Sequence, residues 1–236
     1  MRQVIRCAFI FVSLLVLTSF CFAQEGSAID KSRVPAEADK ISKFVPPGWK
    51  IEEQVAGDLN GDAVSDYALK LVEDGPATDS EGVATELQRA LIIVLQNGAK
   101  LARAAVADKL LQCTHCGGAF YGVSESPANI QIEKGSIVVD QDHGSRNLTN
   151  TTYRFRFDAA TKRFILIGFD YADADRLTAK VVSESTNYLT GVRVVSRDQG
   201  NREVKTRTVI AKKKISIEDV DSEKYEQAAT KRLRLD

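Results

Sequence analysis

Ala90-Leu91-Ile92-Ile93-Val94-Leu95-Gln96-Asn97-Gly98 is the stretch whose reading decides the fold class. Its apolar run is short and rich in β-branched residues, as in a central strand, and Asn-Gly is the dipeptide that tight hairpins favour. Asn97-Gly98 therefore turns this strand back into Leu101 to Val106. Upstream, Tyr67, Leu69 and Leu71 alternate with Ala68, Lys70 and Val72, the period of a strand with one buried face. Before them the lone Trp49 opens the core region, followed by Lys50 to Val55 as the first strand. Downstream, Ile130 and Ile132 pair across a Lys134-Gly135 turn with Ile137 and Val139. Tyr153, Phe155 and Phe157 alternate with Arg154 and Arg156, and Phe164 to Phe169 returns beside them. The aromatics are expected in the core and the two arginines on a solvated, salt-bridged face. Val192, Val194 and Val204 to Ile210 read as further strands, with Lys212-Lys213-Lys214 in a loop or edge.

The fold class is thus all-β, a mainly antiparallel arrangement of meanders and hairpins, propeller-blade-like or sandwich-like, with short helices at both ends. Ala36 to Phe44 is expected to form the first helix, stopped by Pro46-Pro47-Gly48. Ile217 to Leu233 is the second, with Glu218, Asp219 and Asp221 early and Lys231, Arg232 and Arg234 late, as the helix dipole favours. Residues 24–48 form a polar leader with that short helix, of which Gln24 to Asp39 is expected to be an exposed arm, and residues 49–236 form a single β-rich domain.

Residues 1–23 carry Arg2 and Arg6, an apolar run from Ala8 to Leu17 and small residues before a cut after Ala23, the pattern of a secretory signal peptide. The run is short of the roughly 20 residues that span a bilayer, so no integral membrane segment is expected after cleavage. The expected location is exported, periplasmic or secreted. The chain has 32 Lys+Arg and 32 Asp+Glu, and loss of Arg2 and Arg6 leaves 30 against 32. That balance argues against a nucleic-acid partner, which calls for a basic excess.

Export leaves Cys113 and Cys116, and a local disulfide is expected. Haem attachment needs His after the second cysteine, where Gly117 stands, and zinc lacks ligands, since His115 and His143 are the sole histidines. A thiol-disulfide protein acting through Cys113 and Cys116 is the alternative function, opposed by Gly117-Gly118 where a pKa-lowering helix would begin. Asp142-His143-Gly144-Ser145 gathers triad-type residues, but neighbours along a strand point apart, and no catalytic motif accompanies them. No enzyme activity is expected.

Asp58-Leu59-Asn60-Gly61-Asp62-Ala63-Val64-Ser65-Asp66 places oxygen-bearing side chains at loop positions one, three, five and nine, with the Val64 carbonyl near seven. That is a Ca²⁺ loop: a hard cation taking six to eight oxygens from a chain that curls around it. Ala63 and Leu69 occupy the positions where an EF-hand needs glycine and a bidentate glutamate, and the flanks are strand-like. Preceded by Gly57, the segment resembles instead the calcium loop of FG-GAP and VCBS repeats, the strand-loop-strand elements of integrin-type propellers and many exported bacterial proteins. With Cys113-Thr114-His115-Cys116-Gly117-Gly118, Phe155-Arg156-Phe157 and Leu166-Ile167-Gly168, the layout is similar to small exported bacterial proteins carrying one such loop. The resemblance implies Ca²⁺ bound by Asp58, Asn60, Asp62, Val64 and Asp66. The expected role is non-enzymatic, in binding a protein or glycan or in envelope structure.

Overall fold

The computed structural model describes residues 28–199 and 202–235. The signal-peptide expectation, residues 1–23, lies outside them. Every strand pairing is antiparallel, and the strands form two sheets, neither closed into a barrel. The first is five-stranded, in the order β1 (Glu37–Ala38), β5 (Lys100–Ala107), β4 (Arg89–Asn97), β3 (Asp66–Glu73), β2 (Trp49–Gly57). The second is a seven-stranded meander of β6 (Ala128–Glu133), β7 (Ser136–Gly144), β8 (Asn147–Asp158), β9 (Arg163–Asp175), β10 (Lys180–Asn187), β11 (Val192–Gln199) and β12 (Arg202–Val209). The single α-helix among the described residues, α1 (Ser222–Leu233), follows a 3-10 turn at Ile217–Asp219.

The apolar run in β4 has a job on each face. Leu91 and Ile93 join Ala68, Ala105 and the second sheet's Ile137, Val139, Tyr153, Phe155 and Phe169 in the main core. The ring of Tyr225 on α1 stands edge-on to Tyr153 and Phe169, with centroids 5.9 and 5.3 Å away. Ala90, Ile92 and Val94 face the other way, into a second core closed by Ile29, Val34, Phe44 and Trp49. The expected exposed arm is therefore a cover. Arg103 holds it, donating from its guanidinium to the Lys31 and Val34 carbonyls and from its backbone N–H to Ala36 O.

The expected helix over Ala36 to Phe44 is instead the short strand β1 and a 3-10 turn at Ile41–Phe44. Glu37 and Ala38 pair with Ala102 and Leu101, so an open edge on β5 outcompetes the helix there, and the 3-10 turn that remains begins after Lys40, which makes no side-chain cap. At the other end α1 starts later than expected, where the Asp221 carboxylate accepts the Lys224 N–H. Arg154 is salt-bridged to Asp170 and Arg156 donates to Ser136 Oγ, as a solvated strand face requires.

Candidate functional site

The acidic loop joins β2 to β3 and is folded by its own side chains. Asp58 accepts the N–H groups of Gly61 and Ala63 at 2.7 and 2.9 Å, Asn60 accepts that of Asp62 at 2.9 Å, and Asp62 accepts that of Val64 at 2.8 Å. Gly61 and Ala63 take left-handed backbone conformations, φ +86° and +64°, so the chain curls tightly although alanine stands at the second of them. The N–H bonds from Gly61 and then Ala63 hold the Asp58 carboxyl below the usual carboxylate range.

Asp66 differs. It is fully buried, with Oδ2 accepting the Leu59 N–H at 2.9 Å and Oδ1 that of Gln96 in β4 at 2.9 Å. Burial pushes its carboxyl up despite those two bonds, and the negative charges of Asp62 and Asp58 add to the effect. Among the described residues no Lys, Arg or His nitrogen lies within 4.0 Å of these three carboxylates. The loop also sits on the seam between the sheets: Leu59 is buried in the main core, and a Cβ on Gly57 would meet Ile132 Cγ2 of β6 at 2.8 Å.

As donors for Ca²⁺, the Asp58, Asn60, Asp62 and Asp66 side chains and the Val64 carbonyl are uniformly hard oxygens, and a buried carboxylate with no basic partner among the described residues suits a divalent ion. The geometry is looser than the chemistry. Among the described residues the one trio of His, Cys, Asp and Glu side chains with donor atoms all within 4.8 Å is Glu86, Cys113 and Cys116, so an ion would have to draw Asp58, Asp62 and Asp66 together.

Cys113 and Cys116 form a disulfide, Cα–Cα 5.2 Å. Cys113 is buried and Cys116 exposed, with the Glu86 carboxylate beside both sulfurs, a charge that disfavours any thiolate. The following glycines serve packing: a Cβ on Gly117 would strike the Tyr121 ring at 2.6 Å and one on Gly118 the Gly144 carbonyl at 2.7 Å. His115 Nδ1 lies 3.0 Å from Thr85 O and 3.1 Å from Thr114 Oγ1, so its ring anchors the same loop.

Asp142 and His143 point to opposite faces of β7. Asp142 accepts the Tyr121 hydroxyl on one side, while His143 Nε2 lies 2.7 Å from Glu226 Oε2 of α1 on the other. The triad-type residues are thereby separated. His143 and Glu226 form one wall of a cleft of about 640 Å³, with Trp49, Leu111 and the disulfide on the rest. The Glu226 hydrogen bond raises the His143 pKa, against the opposing effect of burial, so this pair is fully formed below the unfolded histidine value and is lost as pH rises through the raised one. Chemical denaturation from about pH 5.5 to 8.5 should therefore show roughly 1 kcal/mol of stability fading toward the alkaline end, and Glu226→Gln should flatten that slope.

These elements define a two-sheet antiparallel β domain with an acidic hairpin loop at the sheet seam and a disulfide-pinned turn beside a cleft. None of the protein-family models, curated proteins or solved structures compared with the chain matches it. No helix among the described residues is long and apolar enough to cross a membrane.

Proposed function

We propose that the chain is an exported, non-enzymatic β domain stabilised by Ca²⁺ in an FG-GAP/VCBS-type loop, with a binding or envelope-structural role. The observation that carries the reading is Asp66, a fully buried carboxylate that feels the charges of Asp62 and Asp58 and has no basic partner among the described residues. A carboxylate whose pKa is raised in the fold costs stability as pH rises past the unfolded carboxylate value, in full above the raised one, and a bound divalent cation offsets the cost. Asp58, Asn60, Asp62, Asp66 and the Val64 carbonyl would hold the ion. Its effect would be mechanical: Asp66 already ties the loop to β4, and Leu59 and Gly57 seat it against the second sheet. An ion there would fix the seam of the domain.

Thermal unfolding in EDTA, Mg²⁺ and Ca²⁺ tests this. A loop of extracellular-module affinity, about 10⁻⁴ to 10⁻³ M, should gain about 1 kcal/mol in millimolar Ca²⁺, or roughly 2–4 °C in Tm. Mg²⁺ should give less, and Asp62→Ala, an exposed change, should abolish the gain. Equal Tm values in EDTA and Ca²⁺ would leave the segment an ordinary Asx-rich turn.

A further inference from the structure

The near-neutral chain hides a strong local asymmetry: residues 191–214 contain eight Lys and Arg against two Asp and Glu. Arg193, Arg197 and Lys214 are engaged by Glu184, the Leu233 carbonyl and Asp158, and the fold gathers the other five at one edge. Among the described residues β12 pairs with β11 alone, and nearly all its residues are exposed. Of its cations Lys205 pairs with Glu203, whereas Arg202 and Arg207 have no carboxylate within 4.0 Å among the described residues, nor do the neighbouring Lys212 and Lys213. The Lys212 stem lies against Gly191, where a Cβ would meet its Cγ at 3.1 Å, which keeps that ammonium beside the hairpin.

The edge also carries unused backbone. Ile210 donates its N–H to Gly191 O at 2.9 Å, and antiparallel alternation then turns the backbone of the even-numbered residues of β12 toward β11. Glu203, Lys205, Arg207 and Val209 are left with N–H and C=O groups directed outward. The ladder from Val192↔Val209 to Gln199↔Arg202 has no bulge, so this edge is regular over its whole length.

We infer that the open edge of β12 is a docking strand for an extended, acidic segment of another protein, which adds to the seven-stranded sheet as its next strand. Two features select that occupant together. Free, regularly spaced backbone groups recognise a strand and not a lipid or a glycan, and the cations flanking them, Lys205 and Arg207 on one face of β12 and Arg202 on the other, recognise its carboxylates. A second copy of this chain is disfavoured, because β12 carries Arg202, Lys205 and Arg207 against Glu203 alone, and edge-to-edge pairing would bring two net-positive strands together. The inference rests on the reading of the chain as a binding domain but not on the ion, which lies in the other sheet's loop.

The test is fluorescence anisotropy of a labelled decapeptide of alternating glutamate and valine, titrated with the purified protein in Ca²⁺ and in EDTA. Binding should appear in both, weaken as salt rises past about 0.15 M, and fall about tenfold or more in an R202Q/K205Q/R207Q variant of unchanged Tm. The same peptide N-methylated at every residue keeps its charge but cannot pair, and it should not bind. Equal binding of the N-methylated peptide would overturn the inference, as would binding of heparin or of phosphatidylglycerol vesicles without binding of the parent peptide. Loss of the Ca²⁺ effect on Tm with peptide binding retained would sink the ion reading alone.

Discussion

Glu52→Ala is expected to destabilise the protein by about 3–5 kcal/mol, the cost of stranding a buried charge, which corresponds to a fall in Tm of roughly 6–20 °C. The stranded charge is Arg89, whose side chain is 2 % exposed. Its Nε and Nη2 reach the two Glu52 oxygens at 2.7 and 2.8 Å, a bidentate pair. Nη1 meanwhile donates to the carbonyls of Ser126, Cys113 and Gln112 at 2.8, 3.2 and 3.4 Å. One guanidinium thus clamps both ends of the disulfide-bearing loop to the first sheet. Lys70 extends the cluster, bonding Glu53 at 2.8 Å and donating to Ala128 O of β6 at 3.0 Å. Removing Glu52 leaves Arg89 with carbonyls and the more exposed Glu125, 3.5 Å away, as its remaining partners. Glu52→Gln should cost less than Glu52→Ala, because the amide oxygen still accepts one N–H while the charge is gone. Urea denaturation of both variants beside the wild type gives the two values. A loss under about 1 kcal/mol for the alanine variant would mean that the loop opens and lets water solvate Arg89.

That cluster also shows where sequence reading stops. Strand period predicts that Glu52 and Glu53 point to opposite faces, yet both reach Lys70, because β2 slips register between Ile51 and Glu53 and Glu52 is the extra residue of a bulge. A bulge is set by what the partner strand must bury, here two cations, and leaves no mark in the local pattern. The hairpins were legible for the converse reason: in β4–β5, β6–β7 and β8–β9 the apolar alternation and turn residues lie within a few positions of each other. β10 escaped notice because its inward residues are polar. Glu184 is fully buried against Arg193 and Arg232, and Thr186 takes the Arg193 Nε–H, so the buried face of that strand reads as a surface. In the acidic loop the spacing marked Asp58, Asn60, Asp62 and Asp66 as oxygen donors. The tie from Asp66 to Gln96 spans thirty residues and depends on β3 and β4 being neighbours. Likewise His143 meets Glu226 only because α1 packs across the end of β7.

Phe44→Ala should lower stability by a similar amount, about 3–5 kcal/mol, because it empties a fully buried aromatic site. The reason lies in β4. A strand with apolar residues at every position must be covered on both sides, and the second sheet covers only the Leu91 and Ile93 face. The other face is closed by a segment with few large apolar residues, so each one matters: Ile29, Val34 and Phe44, beside Trp49 at the start of β2, pack on Leu69, Leu71, Ile92, Val94, Leu101 and Val106. If this cover is integral, it unfolds with the sheets. Trp49 is the sole tryptophan and sits at the start of β2 in that second core, so its fluorescence reports the packing of the cover against it while far-UV circular dichroism follows the strands as a whole. The two melting curves should coincide in the wild type and move down together in Phe44→Ala, as a single cooperative unit requires. A tryptophan transition that precedes the loss of strand signal would instead make residues 28–48 a separately detachable flap. Phe44→Leu, which keeps most of the volume, should recover much of the loss and so separate packing from any effect on the 3-10 turn at Ile41–Phe44.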